Sequence, residues 1–425
     1  MVAVGLIGAA ALVGLAVWWP GGDPDIDRGA LGFSDRVEAT VTSSETGACA
    51  GSAPDPTADP AAGEEAAPEC IIVSARISSG ANEGESATLE TSTDFDTPVS
   101  RLGAGDDIVL NDGGPDVPDE VRYSFADMQR SRPLAVLAVV FAVVVVALGR
   151  LRGLLALAGI GLSLGVLLVF IFPALLDGAA PIGVALTGAT IIAFGTLYLA
   201  HGVNDRTTVA LLGTMASLGL TAALAVGFAA AAALSGLASE ESLTLLAFAP
   251  DLDFRGLLLA AVIIGTLGVL DDVTITQVAA VWELRRSDPA MGRRRLYAAG
   301  IRIGRDHIAS TVNTLVLAYA AAALPLLLIY TQSGLAFGEV LATETVAVEI
   351  VQTLVGSIGL VASVPITTAL ACWVITRPPG ADDELAGWEG GDDRDERWDT
   401  WEPAPPQPRR RTRDRGDEFW TNDPW

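Results

Sequence analysis

Two adjacent carboxylates stand inside a long apolar run of the chain. Asp271 and Asp272 follow Gly265-Thr-Leu-Gly268, and Thr276 comes one helical turn after Asp272. An ionised carboxylate near a bilayer centre costs roughly 2.5–3.5 kcal/mol on insertion scales, so intramembrane carboxylates usually mark ion, proton or substrate sites. Neighbouring positions of a helix point about 100° apart, so we expect the two carboxylates to face different partners.

Two further apolar runs each carry a polar cluster that lipid would not tolerate. The three clusters together predict a polar path between three neighbouring spans, with Asp272, Asn313 and Glu349 at its core. Hydrogen bonds that hold the helices together, or a position of Glu349 at headgroup depth, would explain the same pattern without a transport function. The residues assigned to the path are Asp271, Asp272, Thr276, Thr311, Asn313, Glu349 and Gln352.

Pairs of glycines lie next to the polar positions in two of these runs, before them in one and after them in the other. The pairs are Gly265-x-x-Gly268 and Gly356-x-x-Gly359. Glycines with this spacing let a second backbone approach closely in membrane bundles. We therefore predict that Gly265, Gly268, Gly356 and Gly359 lie at helix–helix contacts.

The sequence contains no recognisable motif of enzymatic catalysis. Walker A, G-x-S-x-G and H-E-x-x-H patterns are all absent. His201 and His307 are interpreted as helix-end residues rather than as metal ligands. Two carboxylates can share a proton only if their oxygens lie close together. Adjacent positions of a helix point about 100° apart, so Asp271 and Asp272 are not expected to form such a pair. We therefore expect no catalytic residues, no metal and no cofactor.

The composition places these clusters in a membrane protein. Of the 425 residues, 51% are hydrophobic and 18% are charged, whereas soluble domains carry about 25% charged residues. The formal net charge is −25, and every basic residue is an arginine. Nucleic-acid binding needs a basic surface, so that function is excluded. The partner that the composition does indicate is the lipid bilayer.

The charges divide the chain into four parts. Residues 1–19 form a transmembrane anchor or a signal sequence, 20–133 an acidic domain, 134–376 a seven-helix membrane domain, and 377–425 a disordered tail. Apolar stretches of about 17 residues or more predict eight spans. The spans are Val2–Trp19, Leu134–Gly149, Gly153–Leu176, Ile182–Leu199, Thr207–Leu237, Gly256–Val281, Ile308–Tyr330 and Val346–Ile375.

Arginines mark the predicted cytoplasmic side of the bundle. Arg150, Arg152, Arg206 and a dense cluster in 285–305 all fall in alternate loops, and 177–181, 239–253 and 331–344 on the other side contain no arginine. Minor exceptions on that other side are Arg130, Arg132 and Arg255, which flank spans two and six. Positive charge is retained on the cytoplasmic side of membrane proteins. This pattern predicts an inner-membrane protein with both termini in the cytoplasm and residues 20–133 outside.

The acidic segment has the pattern of a small β domain. Four β-like runs, in 36–42, 70–77, 86–91 and 107–110, are separated by Gly/Asp/Asn turns. Cys49 and Cys70 flank a Pro/Ala/Glu-rich insertion, and on an oxidising side they would form either a disulfide or two independent thiols. The predicted fold is an all-α polytopic bundle of about eight transmembrane helices, with a small extracytoplasmic β-rich, barrel-like domain after the first helix.

Several motifs in order resemble the YibE/F family of bacterial membrane proteins. They are His201-Gly-Val-Asn-Asp-Arg-Thr-Thr, Gly265-x-Leu-Gly-x-x-Asp-Asp-Val273, Gly304-Arg-Asp-x-x-x-Ser-Thr-Val-Asn-Thr and Glu349-Ile-Val-x-x-Leu-Val-Gly-Ser-Ile-Gly359. The resemblance covers roughly 120–376 and implies a polytopic membrane protein. It implies that Asp272 is the family's intramembrane aspartate and that Asp271 replaces an apolar residue. It implies no particular chemistry.

Two functions fit these observations. The leading hypothesis is a transporter or permease for an unknown small solute or ion. The alternative is a non-transporting envelope sensor, or a partner-binding membrane protein, whose outer domain recruits another envelope protein.

Overall fold

The computed structural model describes residues 2–21, 35–49, 69–93, 97–114, 117–118 and 122–376. The insertion between Cys49 and Cys70 lies largely outside these residues. The predicted disordered tail, 377–425, lies wholly outside them.

An antiparallel sheet of five strands forms a curled half-barrel, with the strand order β3-β2-β1-β4-β5. All four runs predicted from the sequence form strands, and a fifth strand follows them. A register shift between Val41 and Ser43 helps to bend β1. The strands are β1 (Asp35–Ala48), β2 (Glu69–Ile77), β3 (Ser86–Ser92), β4 (Asp107–Asp112) and β5 (Tyr123–Met128).

The sheet has its own hydrophobic core because alternate residues of its strands face inward. Val37, Ala39 and Val41 of β1 are buried while their neighbours are exposed or half-buried, as the two-residue period of a strand requires. Cys49 and Cys70 form a disulfide that joins the end of β1 to the start of β2.

The rest of the described chain is helical. Five of the described helical segments are long and apolar enough to cross a membrane. The count rises to six if the pair Arg293–Ala322 and Leu324–Gln332, which bends by 61°, forms a single span. The apolar helix at the N-terminus is shorter and is not included in either count. The helices are α1 (Val2–Val17), α2 (Ser131–Val166), α3 (Phe172–Leu176), α4 (Pro181–His201), α5 (Asp205–Ala231), α6 (Glu240–Phe248), α7 (Phe254–Ser287), α8 (Arg293–Ala322), α9 (Leu324–Gln332), α10 (Phe337–Ala342) and α11 (Glu344–Ile375).

The helical segment 131–176 contains the second and third predicted spans and is broken between them. Arg150 adopts φ 52° and ψ −129°, far from helical values. Gly153 lies against the carbonyl oxygen of Val145, although eight residues of continuous helix would separate them by about 12 Å. The chain therefore folds back at Arg150, and the segment consists of two helices.

Helices α5, α7 and α11 pack closely through small and hydroxylated residues. A Cβ added to Gly213 would overlap Thr367, and one added to Gly359 would overlap Thr221. Gly356 also lies in contact with α7, since a Cβ there would sit 3.5 Å from Thr266 Oγ1. Such close approach fixes where the side chains of α7 point, including its two carboxylates.

Candidate functional site

A cavity of about 480 Å³ opens between the second half of segment 131–176, α4 and α7. Apolar side chains form most of its wall, and a few polar groups converge on it, as is typical of small-molecule sites. The polar side chains that line it are Ser163, Thr196, His201, Asp271 and Asp272.

Both carboxylates of α7 border this cavity, although their side chains point in different directions from the helix. Leu270 and Val273 face the core and are fully buried, which fixes the rotation of the helix. Asp271 is therefore turned towards α4 and is largely enclosed, whereas Asp272 lies on the exposed side of α7 with Gly268. The two side chains thus have different surroundings, as expected from their adjacent helix positions. Both nevertheless line the same cavity.

Asp271 is incompletely hydrogen-bonded. Thr196 Oγ1 lies 3.3 Å from Asp271 Oδ2, but the same hydroxyl lies 2.8 Å from the carbonyl oxygen of Ile192. A hydroxyl has one proton to donate, so Thr196 cannot fully serve both acceptors. The other oxygen, Asp271 Oδ1, is buried without a partner. Within the described residues, no arginine or histidine forms an ion pair with Asp271 or Asp272.

The cavity reaches one end of the bundle. His201 is the last residue of α4 and is exposed. Thr196, which contacts Asp271, comes five residues earlier, or about 7.5 Å along the helix axis. The carboxylates therefore lie within the bundle but close to the end at which α4 terminates.

The structure does not bring the three predicted core residues of the path together. Glu349 lines a separate cavity of about 270 Å³, and Asn313 is exposed on α8. In the described part of the chain, no hydrogen bond joins Asp272, Asn313 or Glu349 to one another.

The remaining predicted path residues mostly bond within their own helices. Thr276 Oγ1 donates to the carbonyl oxygen of Asp272 at 2.8 Å, and Thr311 Oγ1 donates to that of His307 at 2.9 Å. Gln352 instead reaches another helix, because its Nε2 lies 3.5 Å from the hydroxyl of Tyr319.

The two glycines of α7 differ from those of α11. Gly356 and Gly359 pack against other helices. A Cβ added to Gly265 would lie 3.7 Å from Gln352 Nε2, and one added to Gly268 would have no atom within 4 Å. No helix in the described part of the chain therefore packs against Gly268, which borders the cavity instead.

Sequence reasoning missed the partners of Asp271. Thr196, which contacts Asp271, and Ser163, which lines the same cavity, lie in apolar runs with no neighbouring polar residue to draw attention to them. His201 lies at a helix end as predicted, whereas the same prediction is wrong for His307, which lies within α8. Nothing in the sequence showed that the end of α4 borders the carboxylates. No group of three His, Cys, Asp or Glu side chains in the described ranges is placed to hold a metal ion, so we assign no metal ligands.

Comparison with known proteins gives one result. We found no curated protein and no solved structure that matches the chain. The family model described as YibE/F-like protein matches residues 137–377, which include every helix that lines the cavity. This match spans more than half of the 425 residues, and the chain is therefore a multi-pass membrane protein that belongs to the YibE/F-like family.

Proposed function

We propose that the protein is a transporter or permease whose working cycle binds a small cation, the proton included, at Asp271 and Asp272. One observation carries this proposal: Asp271, with one buried carboxylate oxygen that lacks a partner, and the more exposed Asp272 border one open cavity between helices of the bundle, and neither forms an ion pair with a described residue. Burying an unpaired charge is costly, so a carboxylate in such a place is expected to take up a cation or a proton.

The hydrogen bonds around Asp271 support this proposal. A protonated Asp271 could donate to Thr196 Oγ1, while Thr196 keeps its better bond to the carbonyl oxygen of Ile192. For an ionised Asp271, the Thr196 hydroxyl is shared with the carbonyl oxygen of Ile192, and Oδ1 is buried without a hydrogen bond within 3.5 Å. A bound cation or proton would therefore relieve a specific electrostatic cost at this position.

The proposal includes the arrangement of the chain in the membrane. Eight spans, with both termini in the cytoplasm and residues 20–133 outside a bacterial inner membrane, fit the arginine positions. The break at Arg150 supports two spans in segment 131–176. The disulfide of the sheet supports an oxidising location for Cys49 and Cys70.

The test uses full-length protein in liposomes and in detergent. Proton, Na⁺ and K⁺ fluxes are measured for the wild type, Asp271→Asn and Asp272→Asn, together with melting temperature across the same ions and pH values. A ligand at a hundredfold excess over its dissociation constant stabilises a protein by about 2.7 kcal/mol. We expect at least one ion to raise the wild-type melting temperature, and this shift and the flux to vanish in both variants.

Asp251→Asn is the matched control, because Asp251 is exposed in the loop before α7 and lines neither of the two carboxylate cavities. It should behave as the wild type. Unchanged flux and ion response in both α7 variants would overturn the proposal. Loss of function on deletion of residues 35–125, with Asp272→Asn fully active, would instead favour the alternative of an envelope sensor that recruits a partner protein.

A further inference from the structure

A second carboxylate-lined cavity lies towards the other end of α7. Its volume is about 270 Å³, and it is bounded by the chain around 236–242 and by the first turns of α7 and α11. Glu349 is partly buried there, and its carboxylate has no hydrogen-bond or ion-pair partner among the described residues. The other polar side chains of this outer cavity are Ser239, Ser242 and Thr345.

The two cavities share one face of α7. Ala261 lines the outer cavity, and Ile264, Gly268 and Asp272 line the cavity that holds Asp271. These four positions are separated by three, four and four residues, the spacing of a single helical stripe. Eleven residues from Ala261 to Asp272 correspond to about 16 Å along the axis. The two cavities therefore follow one another along this face of α7, although no lining residue is common to both.

Polar groups accompany this stripe between the two cavities. Gln352 comes one turn after Glu349 on α11, and its amide lies beside the Tyr319 hydroxyl. Both groups are close to Gly265, where the missing side chain leaves room next to them. The space beside Gly268 is open. The interval between the cavities thus contains an amide, a hydroxyl and two glycines among its apolar side chains.

Given the transport function proposed above, we propose that the outer cavity is the second entrance of the same path, at which Glu349 receives a small monovalent cation. The cation passes the Gln352–Tyr319 pair and the glycines of α7 to reach Asp272. Carboxylates without cationic partners at both ends attract cations and repel anions. Neutral amide and hydroxyl groups between them provide ligands without trapping the ion.

The test measures access to each cavity in the whole protein, and it does not depend on transport. Cys372 is the free cysteine of the described chain and is buried, so Cys372→Ser serves as the background. Ser242→Cys reports on the outer cavity and Ser163→Cys on the inner one. Each is treated with a membrane-impermeant cationic methanethiosulfonate and with an anionic one, from either side of oriented vesicles.

We expect the two cysteines to react from opposite sides of the membrane. We also expect the cationic reagent to be preferred at Ser242→Cys, and this preference to fall by about tenfold when Glu349→Gln is added. Glu241→Gln is the matched control, because Glu241 neighbours Ser242 but does not line the cavity. Glu349→Asp keeps the charge and should restore the preference.

Reaction of both cysteines from the same side, no reaction at Ser242→Cys, or an unchanged reagent preference in Glu349→Gln would each overturn the inference. Val348→Cys, which also lines the outer cavity, repeats the measurement if Ser242→Cys does not fold. Access is independent of flux. If the two cysteines react from opposite sides but the α7 aspartate variants keep normal flux, only the transport proposal is refuted. If they react from the same side but the aspartate variants lose flux, only the second entrance is refuted.

Discussion

The sheet and the helical bundle treat their carboxylates in opposite ways. In the sheet, Asp112 accepts two hydrogen bonds from Arg122, at 2.7 and 3.1 Å, and one from the backbone of Gly114. In the bundle, Asp271 has a buried oxygen without a partner. Water can hydrate an unpaired carboxylate on the surface of the sheet, whereas a carboxylate oxygen buried in the bundle loses that hydration. The bundle therefore leaves a buried carboxylate oxygen unpaired at Asp271, and the cation site proposed above would explain why.

The strongest test of this contrast exchanges carboxylates for amides in both regions. Asp272→Asn and Asp271→Asn should lower cation flux roughly 100-fold, equivalent to about 2.8 kcal/mol of charge-assisted binding, without lowering the melting temperature. Asp112→Asn should leave flux intact and loosen the turn between β4 and β5. Flux assays and hydrogen exchange on the full chain measure the two effects. If Asp271→Asn instead lowers the melting temperature of the protein and leaves the flux normal, the Asp271 carboxylate serves stability rather than transport, contrary to the proposal.

Removing the disulfide should act on the sheet alone. Cys70→Ser opens the link to Cys49, twenty-one residues away, and should cost the sheet about 3 kcal/mol by loop entropy. Hydrogen exchange of β1 and β2 amides should accelerate accordingly, while amides of α7 keep their protection. Equal acceleration in α7 would show that the two regions unfold as one unit.

Filling the open space beside the carboxylates should impair transport but not folding. Gly268→Leu adds a side chain where no atom lies within 4 Å, so it should reduce flux roughly tenfold with little change in melting temperature. Gly161→Leu, at another glycine with open space around it, is the control. Gly359→Ala should instead destabilise the bundle by about 1–3 kcal/mol, because the new Cβ would overlap Thr221.

The smallest expected effect is a pH dependence confined to the sheet. The Arg122 guanidinium holds the pKa of Asp112 below its ordinary value near 3.8. A depressed folded-state pKa stabilises the fold above the unfolded pKa, and this contribution is lost as pH falls through the folded value. Below pH 4, the turn between β4 and β5 should therefore lose about 1 kcal/mol. Hydrogen exchange, corrected for its intrinsic pH dependence, should show no such loss in Asp112→Asn.

The sequence predicted the sheet better than it predicted the site. The two-residue period of a strand is visible in the sequence where one face of the sheet is buried and the other is exposed to solvent, as in β1 and β2. The fifth strand was missed although Tyr123 and Phe125 alternate with smaller or polar residues, because a Gly/Asp/Pro-rich stretch precedes it. The rotation of α7 could not be predicted, because lipid is as apolar as a bundle core and both faces of the helix read alike. For that reason neither the enclosed position of Asp271 nor its contact with Thr196 was anticipated.

The turn at Arg150 has a consequence for how the protein is made. A non-glycine residue at positive φ costs of order 1–3 kcal/mol, and here it lies between two strongly apolar helices with a second arginine, Arg152, beside it. Two charged side chains at the tip of a hairpin resist being drawn through the insertion machinery. The hairpin should therefore enter the bilayer as a single unit, with its two arginines remaining on the side from which it inserts, before α4 and α7, which complete the cavity, are synthesised.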